Sequence, residues 1–256
     1  MDINDSIRIL MRKINSVLDN GVHSAWLYGS VALDDFRLGW SDIDVIVFAE
    51  GKITHDEAKE LVSLRQKLSA QYPSEPYFGL FEGVIVSLSE FKKGEYTGLV
   101  YWGTSGQRIT NRFALDAFSR YELSESGILL LGNADRSLFV PPSRSELVDA
   151  VRAHYEGIRR CAVNTDESLY SCGWLLDIAR CLFTLRHNRV ISKTQAGEWA
   201  LKKGLFPDEA VLKKTLEIRR SPLEYKNRGD IKAWLCGLGP VVQAYADVLE
   251  AELAFA

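Results

Sequence analysis

The stretch LYGS at residues 27–30, followed by SDIDVIVF at residues 41–48, decides which fold this chain is expected to adopt. Residues 25–28 form a short apolar run that stops at Gly29-Ser30, which predicts a strand ending in a tight turn. Residues 45–48 form a continuous apolar run, typical of a strand covered on both faces. If Asp42 already lies on that strand, Asp42 and Asp44 share one face, because side chains alternate along a strand.

Two carboxylates on one face predict a divalent-cation site. Side by side they repel each other, and a hard cation between them relieves that repulsion. Backbone N–H groups at Gly29 and Ser30, opening the next helix, would suit a phosphate, so the whole string outlines a phosphoryl- or nucleotidyl-transfer site. An Asp-x-Asp motif alone is weak, since acidic residues at strand ends are usually only solvated. The ordered combination of strand, Gly-Ser, spacer and Ser-Asp-x-Asp is much more specific.

Size and composition narrow the class of protein. The chain has 256 residues, of which 46% are hydrophobic, enough for one large domain or two small ones. A net charge of −3 argues against a non-specific nucleic-acid binder, and no apolar run reaches transmembrane length. The acidic N-terminus is unlike a secretory signal. The four cysteines lie in apolar helical stretches and are predicted to be core thiols, which favours a reducing cytoplasm.

The pattern along the chain predicts an α+β protein with two domains. Residues 1–142 are expected to form a mixed sheet with helices, and residues 143–256 an α-helical bundle, with the active cleft between them. Pro141-Pro142 marks the boundary. The last helix is predicted to run from about Asp230 past Leu249. Net charge differs between the parts, −5 for residues 1–142 and +2 for residues 143–256, which would suit a cationic acceptor and a polyphosphate, although chance explains so small an imbalance equally well.

A third acid is expected beside the aspartate pair, either to complete a metal cage or to take a proton from an attacking hydroxyl. Glu82 is the best candidate because it enters a predicted strand at residues 83–86, in apolar surroundings. Burial there would raise its pKa and make it a better base near neutral pH. The alternative is an ordinary surface glutamate at the start of a strand. Glu90, Glu95 and Glu122 are weaker competitors.

Two parts of the chain resemble known proteins. The string at residues 27–48 resembles the signature of the nucleotidyltransferase superfamily, which includes DNA polymerase beta and the aminoglycoside adenylyltransferases. Residues 174–201 resemble the C-terminal domain of the streptomycin/spectinomycin adenylyltransferases, where a helix with an arginine is followed by a turn, a lysine and a Trp-Ala pair. Here these residues are Arg180, Lys193 and Trp199-Ala200. The resemblance implies a polymerase beta-like catalytic domain followed by a helical domain.

The resemblance also implies an activity: Mg²⁺-dependent transfer of AMP from ATP to a hydroxyl of an aminoglycoside. Asp42 and Asp44 would hold magnesium, two ions being expected, and Glu82 would be the catalytic base that contacts the drug. The residues implied to contact ATP are Gly29, Ser30, Ser41, Arg180, Lys193 and Tyr225. Other interpretations remain for two of them: Arg180 could form a structural ion pair with Asp177, and Lys193 could lie on a solvated face.

Drug specificity is where the sequence departs from the family. Streptomycin-accepting members use a tryptophan and an aspartate. The resemblance puts Trp102 at the first position and Tyr170 at the second, with Asp166 and Glu167 just upstream of Tyr170. A tyrosine cannot pair with the cationic groups of streptomycin as a carboxylate does, which argues against streptomycin and leaves spectinomycin or another aminocyclitol open. A cytoplasmic monomer that binds neither nucleic acid nor membrane is expected. Two alternatives stay open: nucleotidyl transfer to a protein or RNA, and nucleotide binding without catalysis.

Overall fold

The computed structural model describes residues 1–103 and 106–256, which fall into two compact units. The first unit comprises Met1–Ala32, Asp42–Leu115 and Glu122–Val140, and the second comprises Leu33–Ser41, Asp116–Tyr121 and Pro141–Ala256. The second unit therefore takes two segments from the N-terminal half as well as the C-terminal part. No helix of the described residues is long and apolar enough to cross a membrane.

In the described residues, the first unit is built around a six-stranded mixed sheet that consists of β1 (Val22–Tyr28), β2 (Ile43–Ala49), β3 (Phe81–Ser87), β4 (Leu99–Gly103), β5 (Gly106–Thr110) and β6 (Ile128–Gly132). The strand order is β5-β4-β3-β2-β1-β6. Strands β2 and β3 pair in parallel, and the other neighbouring strands pair antiparallel. Helix α5 begins in the second unit and ends in the first. The elements in chain order are α1 (Ile3–Val17), β1 (Val22–Tyr28), α2 (Gly29–Ala32), β2 (Ile43–Ala49), α3 (His55–Gln71), β3 (Phe81–Ser87), α4 (Leu88–Lys93), β4 (Leu99–Gly103), β5 (Gly106–Thr110), α5 (Ala117–Glu125) and β6 (Ile128–Gly132).

The apolar run at residues 45–48 is a central strand, as its continuous hydrophobicity predicts. Val45, Ile46, Val47 and Phe48 are all fully buried, so both faces of β2 are covered. The parallel pairing to β3 is unusually close at Gly83, which has φ +134°. A Cβ at Gly83 would lie 1.8 Å from the carbonyl oxygen of Val45, so only glycine fits there.

The second unit is helical. The helices that follow Ser143 and Ser192 begin with a capping box, in which each serine accepts a hydrogen bond from the backbone N–H three residues later. Asn188 ends one helix in the left-handed conformation, which asparagine tolerates better than most residues. The helices are α6 (Arg144–Cys161), α7 (Tyr170–His187), α8 (Lys193–Lys202), α9 (Glu209–Arg220), α10 (Pro222–Tyr225), α11 (Gly229–Cys236) and α12 (Gly239–Leu253).

The predicted α+β fold is confirmed, and two finer predictions are wrong. The last helix does not run unbroken from Asp230, because α11 ends at Cys236 and α12 starts at Gly239 after a turn at Gly237. Cys172 and Cys181 are buried as predicted, but Cys161 and Cys236 are exposed, since each stands at the end of its helix. Burial raises the pKa of both inner thiols to about 12, so they stay protonated.

Candidate active site

The pairing of β2 with β3 sets two of the predicted acids side by side. Asp44 is directly opposite Glu82 in the parallel register, and Tyr28 of β1 is opposite Asp44 on its other edge. Residues in register on neighbouring strands project to the same face, with backbones about 5 Å apart. Asp42 lies two residues before Asp44, just outside the strand. Asp42, Asp44 and Glu82 are all half-buried.

Gly29 allows the Asp44 carboxylate to rest directly on the backbone. Its φ of +64° is a left-handed conformation that favours glycine. A Cβ built there would meet Asp44 Oδ2 at 2.0 Å and Asp44 Cγ at 2.8 Å, well inside contact distance. Two features therefore require glycine at this position of the Gly-Ser turn. One is the left-handed backbone angle, and the other is the Asp44 carboxylate, which fills the space that any side chain would need.

The turn is tied to the second aspartate through its serine. Ser30 Oγ donates a hydrogen bond to the backbone carbonyl oxygen of Asp42 at 3.2 Å. The helix that Gly29 opens has only four residues, so its dipole contributes little to binding a phosphate. Phosphate contact by Gly29 and Ser30 remains a prediction, and it would depend on individual N–H and O–H groups.

Arg65 is a cation beside these acids, and it was not predicted from the sequence. Its Nη1 atom donates to the carbonyl oxygen of Phe81 at 2.5 Å, immediately before Glu82. Burial lowers the pKa of the Arg65 guanidinium, while the nearby charges of Glu82 and Asp42 act to raise it. Arg65 is half-buried and follows Leu61 by one helical turn, between the buried residues Leu64 and Leu68 of α3. A charged residue on the apolar face of an amphipathic helix is the signal that could have identified it.

Magnesium was the metal expected at Asp42 and Asp44. Across residues 1–103 and 106–256, no cluster of three or more His, Cys, Asp or Glu side chains is arranged as a metal cage. Magnesium seldom uses such a cage; one or two carboxylates and the phosphates of a substrate usually hold it. The Asp44 carboxylate already fills the space a side chain at residue 29 would take. These residues fit an ion that arrives with a nucleotide.

In the second unit, Asp177 brings together the two predicted ATP contacts. Arg180 Nη2 donates to Asp177 Oδ1 at 3.2 Å, and Lys193 Nζ donates to Asp177 Oδ2 at 3.0 Å. Burial alone would raise the pKa of Asp177, but Lys193 and Arg180 hold it below its usual range. The ion pair suggested as an alternative for Arg180 is therefore present, and it includes Lys193 as well.

An aromatic pair borders this cation cluster. The Arg180 guanidinium lies 5.1 Å from the ring centre of Phe118, and the rings of Phe118 and His154 are 4.9 Å apart. Burial lowers the pKa of His154, and the neighbouring Asp177 opposes that effect. Neither residue was singled out from the sequence, because they are distant in sequence from Arg180 and carry no motif.

The remaining predicted ATP contacts occupy separate places in the second unit. Ser41 is buried, and its Oγ accepts a hydrogen bond from the backbone N–H of Arg37 at 3.0 Å. A hydroxyl that accepts in this way still has its own proton to donate. Tyr225 donates its hydroxyl to Glu217 Oε1 at 2.5 Å, and this bond raises the pKa of Tyr225.

The two predicted drug contacts differ in their exposure to solvent. Tyr170, the first residue of α7, is 54% exposed. Trp102 is 1% exposed, and its indole N–H donates to the carbonyl oxygen of Leu61 at 3.1 Å. It is opposite Gly83 in the sheet, so it projects to the other face from Glu82. An indole enclosed in this way has almost no exposed surface, and contact of Trp102 with a drug stays a prediction.

The chain matches two family models. A model described as "Nucleotidyltransferase domain" matches residues 10–93, and one described as "Aminoglycoside adenylyltransferase, C-terminal domain" matches residues 137–232. The first span contains Gly29, Asp42, Asp44 and Glu82, and the second contains the Asp177 cluster. None of the curated proteins matches this sequence.

One solved structure is similar over nearly the whole length of both chains. It is the spectinomycin adenyltransferase AAD(9) from Enterococcus faecialis, crystallised with ATP and spectinomycin. The TM-score is 0.61 with 15% sequence identity, covering 96% of this chain and 99% of the other. At this identity the likeness establishes a shared fold.

Proposed function

We propose that this chain belongs to the aminoglycoside adenylyltransferase family of nucleotidyltransferases, and that it transfers AMP from ATP to a hydroxyl of an aminoglycoside or aminocyclitol antibiotic and releases pyrophosphate. The observation that carries the proposal is the pairing of Asp44 with Glu82, together with the Asp44 carboxylate lying on Gly29. We place the activity in the cytoplasm, where ATP is plentiful, and in a monomer.

Asp42 and Asp44 would hold two magnesium ions that enter with ATP. Bound magnesium would neutralise the phosphate charge and polarise the phosphoryl oxygens. The chain contributes the fixed position of its carboxylates: β2 and the Gly29 contact hold Asp44, and Ser30 is bonded to the Asp42 carbonyl. Two carboxylates held in place before the substrate arrives need little rearrangement during the reaction.

Glu82 would act as the general base. Its carboxylate accepts the proton of the attacking drug hydroxyl while that oxygen forms its bond to the α-phosphorus. The bond between the α-phosphorus and the bridging oxygen to the β-phosphate breaks, and pyrophosphate leaves with the electron pair. Asp44 is opposite Glu82 in the sheet, so the proton acceptor and the proposed metal ligand lie side by side. A base in this position contributes about 10²–10⁴-fold to the rate.

Arg180 and Lys193 would bind the ATP phosphates. Both are cations held by Asp177, which fixes their positions without removing all of their positive charge. Two cations around one carboxylate leave a net charge of about +1, which attracts an anionic nucleotide. Ser30, Ser41 and Tyr225 are the further proposed nucleotide contacts, and Ser41 keeps an O–H donor for a phosphate oxygen.

The acceptor is proposed to be a spectinomycin-like aminocyclitol. Tyr170 is exposed, and the family resemblance assigns it to the position where streptomycin-accepting relatives carry a carboxylate. A tyrosine offers no ion pair to a guanidinium group. The similar solved structure holds spectinomycin, in keeping with this preference. Glu82 would be the acid that meets the drug, because the base must reach the hydroxyl it deprotonates.

A pyrophosphate-release assay tests the proposal. Purified protein, ATP and Mg²⁺ are incubated with spectinomycin, streptomycin and further aminoglycosides, and the drug is examined by mass spectrometry for an added AMP. We expect release with spectinomycin and at most a trace with streptomycin. ATP binding without pyrophosphate release across the panel would refute catalysis on these drugs. Transfer to an added protein or RNA instead would identify the other acceptor class.

A further inference from the structure

A buried ion pair in the second unit is not used by the proposed chemistry. Asp35 and Arg219 are each 2% exposed, and Arg219 Nη2 donates to Asp35 Oδ2 at 2.7 Å. Arg219 Nη2 also donates to the Asp35 carbonyl oxygen at 3.2 Å. Arg219 lies in α9, 184 residues along the chain from Asp35. Ion pairs removed from water in this way are costly to break from one side, because the remaining charge loses its partner.

Thr194 completes the network at the start of α8. Its Oγ1 atom donates to Asp35 Oδ1 at 2.6 Å and accepts from Arg219 Nε at 3.1 Å. The Thr194 backbone N–H donates to Asp35 Oδ2 at 3.2 Å. Asp35 therefore satisfies one of the free N–H groups in the first turn of α8, where a negative charge is also favoured by the helix dipole. Lys193 is the first residue of the same turn.

The segment that contains Asp35 ends at Ser41. Arg37 pairs with Asp35 at 3.6 Å, and the Arg37 carbonyl oxygen accepts from the Ser41 N–H at 2.8 Å. Ser41 Oγ in turn accepts from the Arg37 N–H, which closes a short turn. The Arg219 guanidinium packs over the ring of Trp40, and its central carbon lies 5.3 Å from the ring centre. Arg37, Trp40 and Ser41 are thus connected, directly or through the turn, to the buried pair.

We propose that Asp35, Arg219 and Thr194 are positioning residues that hold Ser41 and Lys193 in fixed places for the ATP phosphates. The inference rests on the proposed function, which makes Ser41 and Lys193 nucleotide contacts. One carboxylate joins the two: it bonds the first turn that carries Lys193, and it anchors the segment that ends at Ser41.

The decisive test compares Thr194→Val with Thr194→Ser. Valine keeps the branched shape and loses the hydroxyl that bridges Asp35 and Arg219, whereas serine keeps the hydroxyl. Binding is measured with Mg²⁺ and an ATP analogue whose α–β bridging oxygen is replaced by methylene, so that no reaction takes place. We expect Thr194→Val to raise the dissociation constant about tenfold, the size of coupling found along packed networks, and Thr194→Ser to stay within about twofold of wild type.

Amide hydrogen exchange without nucleotide supplies a second readout. Exchange should rise at residues 35–41 in Thr194→Val and remain at the wild-type rate in Thr194→Ser, because the segment loses one of its anchors. A Thr194→Val protein that unfolds at a lower temperature, yet keeps its analogue affinity and its protected 35–41 amides, would overturn the inference and leave the network purely structural. Both changes together support it.

Neighbouring residues give matched controls for the charged members. Asp35→Asn is paired with Asp34→Asn, since Asp34 is exposed, and Arg219→Ala with Arg220→Ala, since Arg220 pairs with the exposed Glu198. In each pair, only the substitution of the buried residue, Asp35→Asn or Arg219→Ala, should weaken binding of the analogue. Equal weakening by both members of a pair would contradict the inference. Failure of the proposed function would look different: the wild type would bind the analogue but release no pyrophosphate with any drug.

Discussion

The acids of the sheet and the cations of the helical unit are held in place by different means. Asp44 and Glu82 lie side by side because β2 and β3 pair in register, and the Asp44 carboxylate packs against the backbone of Gly29. Arg180 and Lys193 are placed by a side chain, the carboxylate of Asp177. Backbone pairing is shared by the whole sheet, whereas an ion pair depends on three side chains. A change at one acid should therefore remove chemistry, and a change at Asp177 should move binding groups.

The largest effect is expected from Asp44→Asn. The amide preserves the size of the side chain and its contact with Gly29, but it removes the charge proposed to hold magnesium. Loss of several kcal/mol of transition-state stabilisation corresponds to about a 10³-fold fall in kcat. Steady-state kinetics of pyrophosphate release measure it, with thermal unfolding to show that the fold persists. Undiminished kcat in a folded Asp44→Asn protein would remove the proposed metal role.

Glu82→Gln should come next, with kcat reduced about 100-fold and ATP affinity nearly unchanged, because a base acts in the chemical step. The amide cannot accept the hydroxyl proton, so the rise of kcat with pH that reports the base should disappear. Glu95→Gln is the control, since Glu95 is exposed on the loop after α4. A variant that loses ATP affinity but keeps kcat would make Glu82 a nucleotide-binding group instead.

Gly29→Ala should produce an intermediate effect that joins backbone and chemistry. The new methyl group would sit where Asp44 Oδ2 now lies, and the left-handed φ adds strain of about 1 kcal/mol or more. Because misplacement of a reacting group by about 1 Å can cost 10²-fold, kcat should fall about 30-fold. Kinetics and thermal unfolding measure the two parts. An alanine variant with full activity would show that the Asp44 position against Gly29 is not needed.

The sequence predicted the acids of the sheet better than it predicted the partners of the helical cations. The reason is again that backbone pairing places the acids and side-chain contacts place the cations. The sheet acids were found because period-two alternation and the Gly-Ser turn are local patterns, and the parallel neighbour of β2 indeed brings Glu82 opposite Asp44. Arg65 was missed because its relation to Glu82 depends on how α3 packs, which no spacing records.

In the helical unit, long-range partners escaped prediction. Arg180 and Lys193 were identified through resemblance, but their joint pairing with Asp177 appears only in the folded unit. The Asp35–Arg219 pair joins residues 184 positions apart, with no motif at either end. Trp102 was assigned to a family position from the sequence. In the structure, the strand register places Trp102 opposite Gly83, with its side chain in the core. Non-local side-chain packing is what a single sequence does not encode in any short pattern.

The smallest effect on catalysis, and the sharpest on pH dependence, is expected from Asp177→Asn. Both cations keep their own charge, so kcat should change little, while the ATP dissociation constant should change several-fold because Arg180 and Lys193 lose their common anchor. Charge-assisted hydrogen bonds of this kind contribute about 2 kcal/mol, so the variant should be less stable than wild type at pH 7 by about that amount.

The pH profile of that difference distinguishes pairing from burial as the stronger influence on Asp177. Lys193 and Arg180 hold the pKa of Asp177 below its usual range, so the folded protein keeps the carboxylate charged more readily than the unfolded chain does. The stabilisation is then fully present above about pH 4, where the unfolded aspartate is ionised, and is lost as the pH falls through the lower folded pKa. Unfolding free energies of wild type and Asp177→Asn should therefore differ by a constant amount from pH 7 to about pH 5 and converge below pH 4.

Asp149→Asn, an exposed change on α6, should show no such convergence. If the two curves already met at pH 6, burial would outweigh the cations, and Asp177 could not be the charged anchor that the helical unit needs.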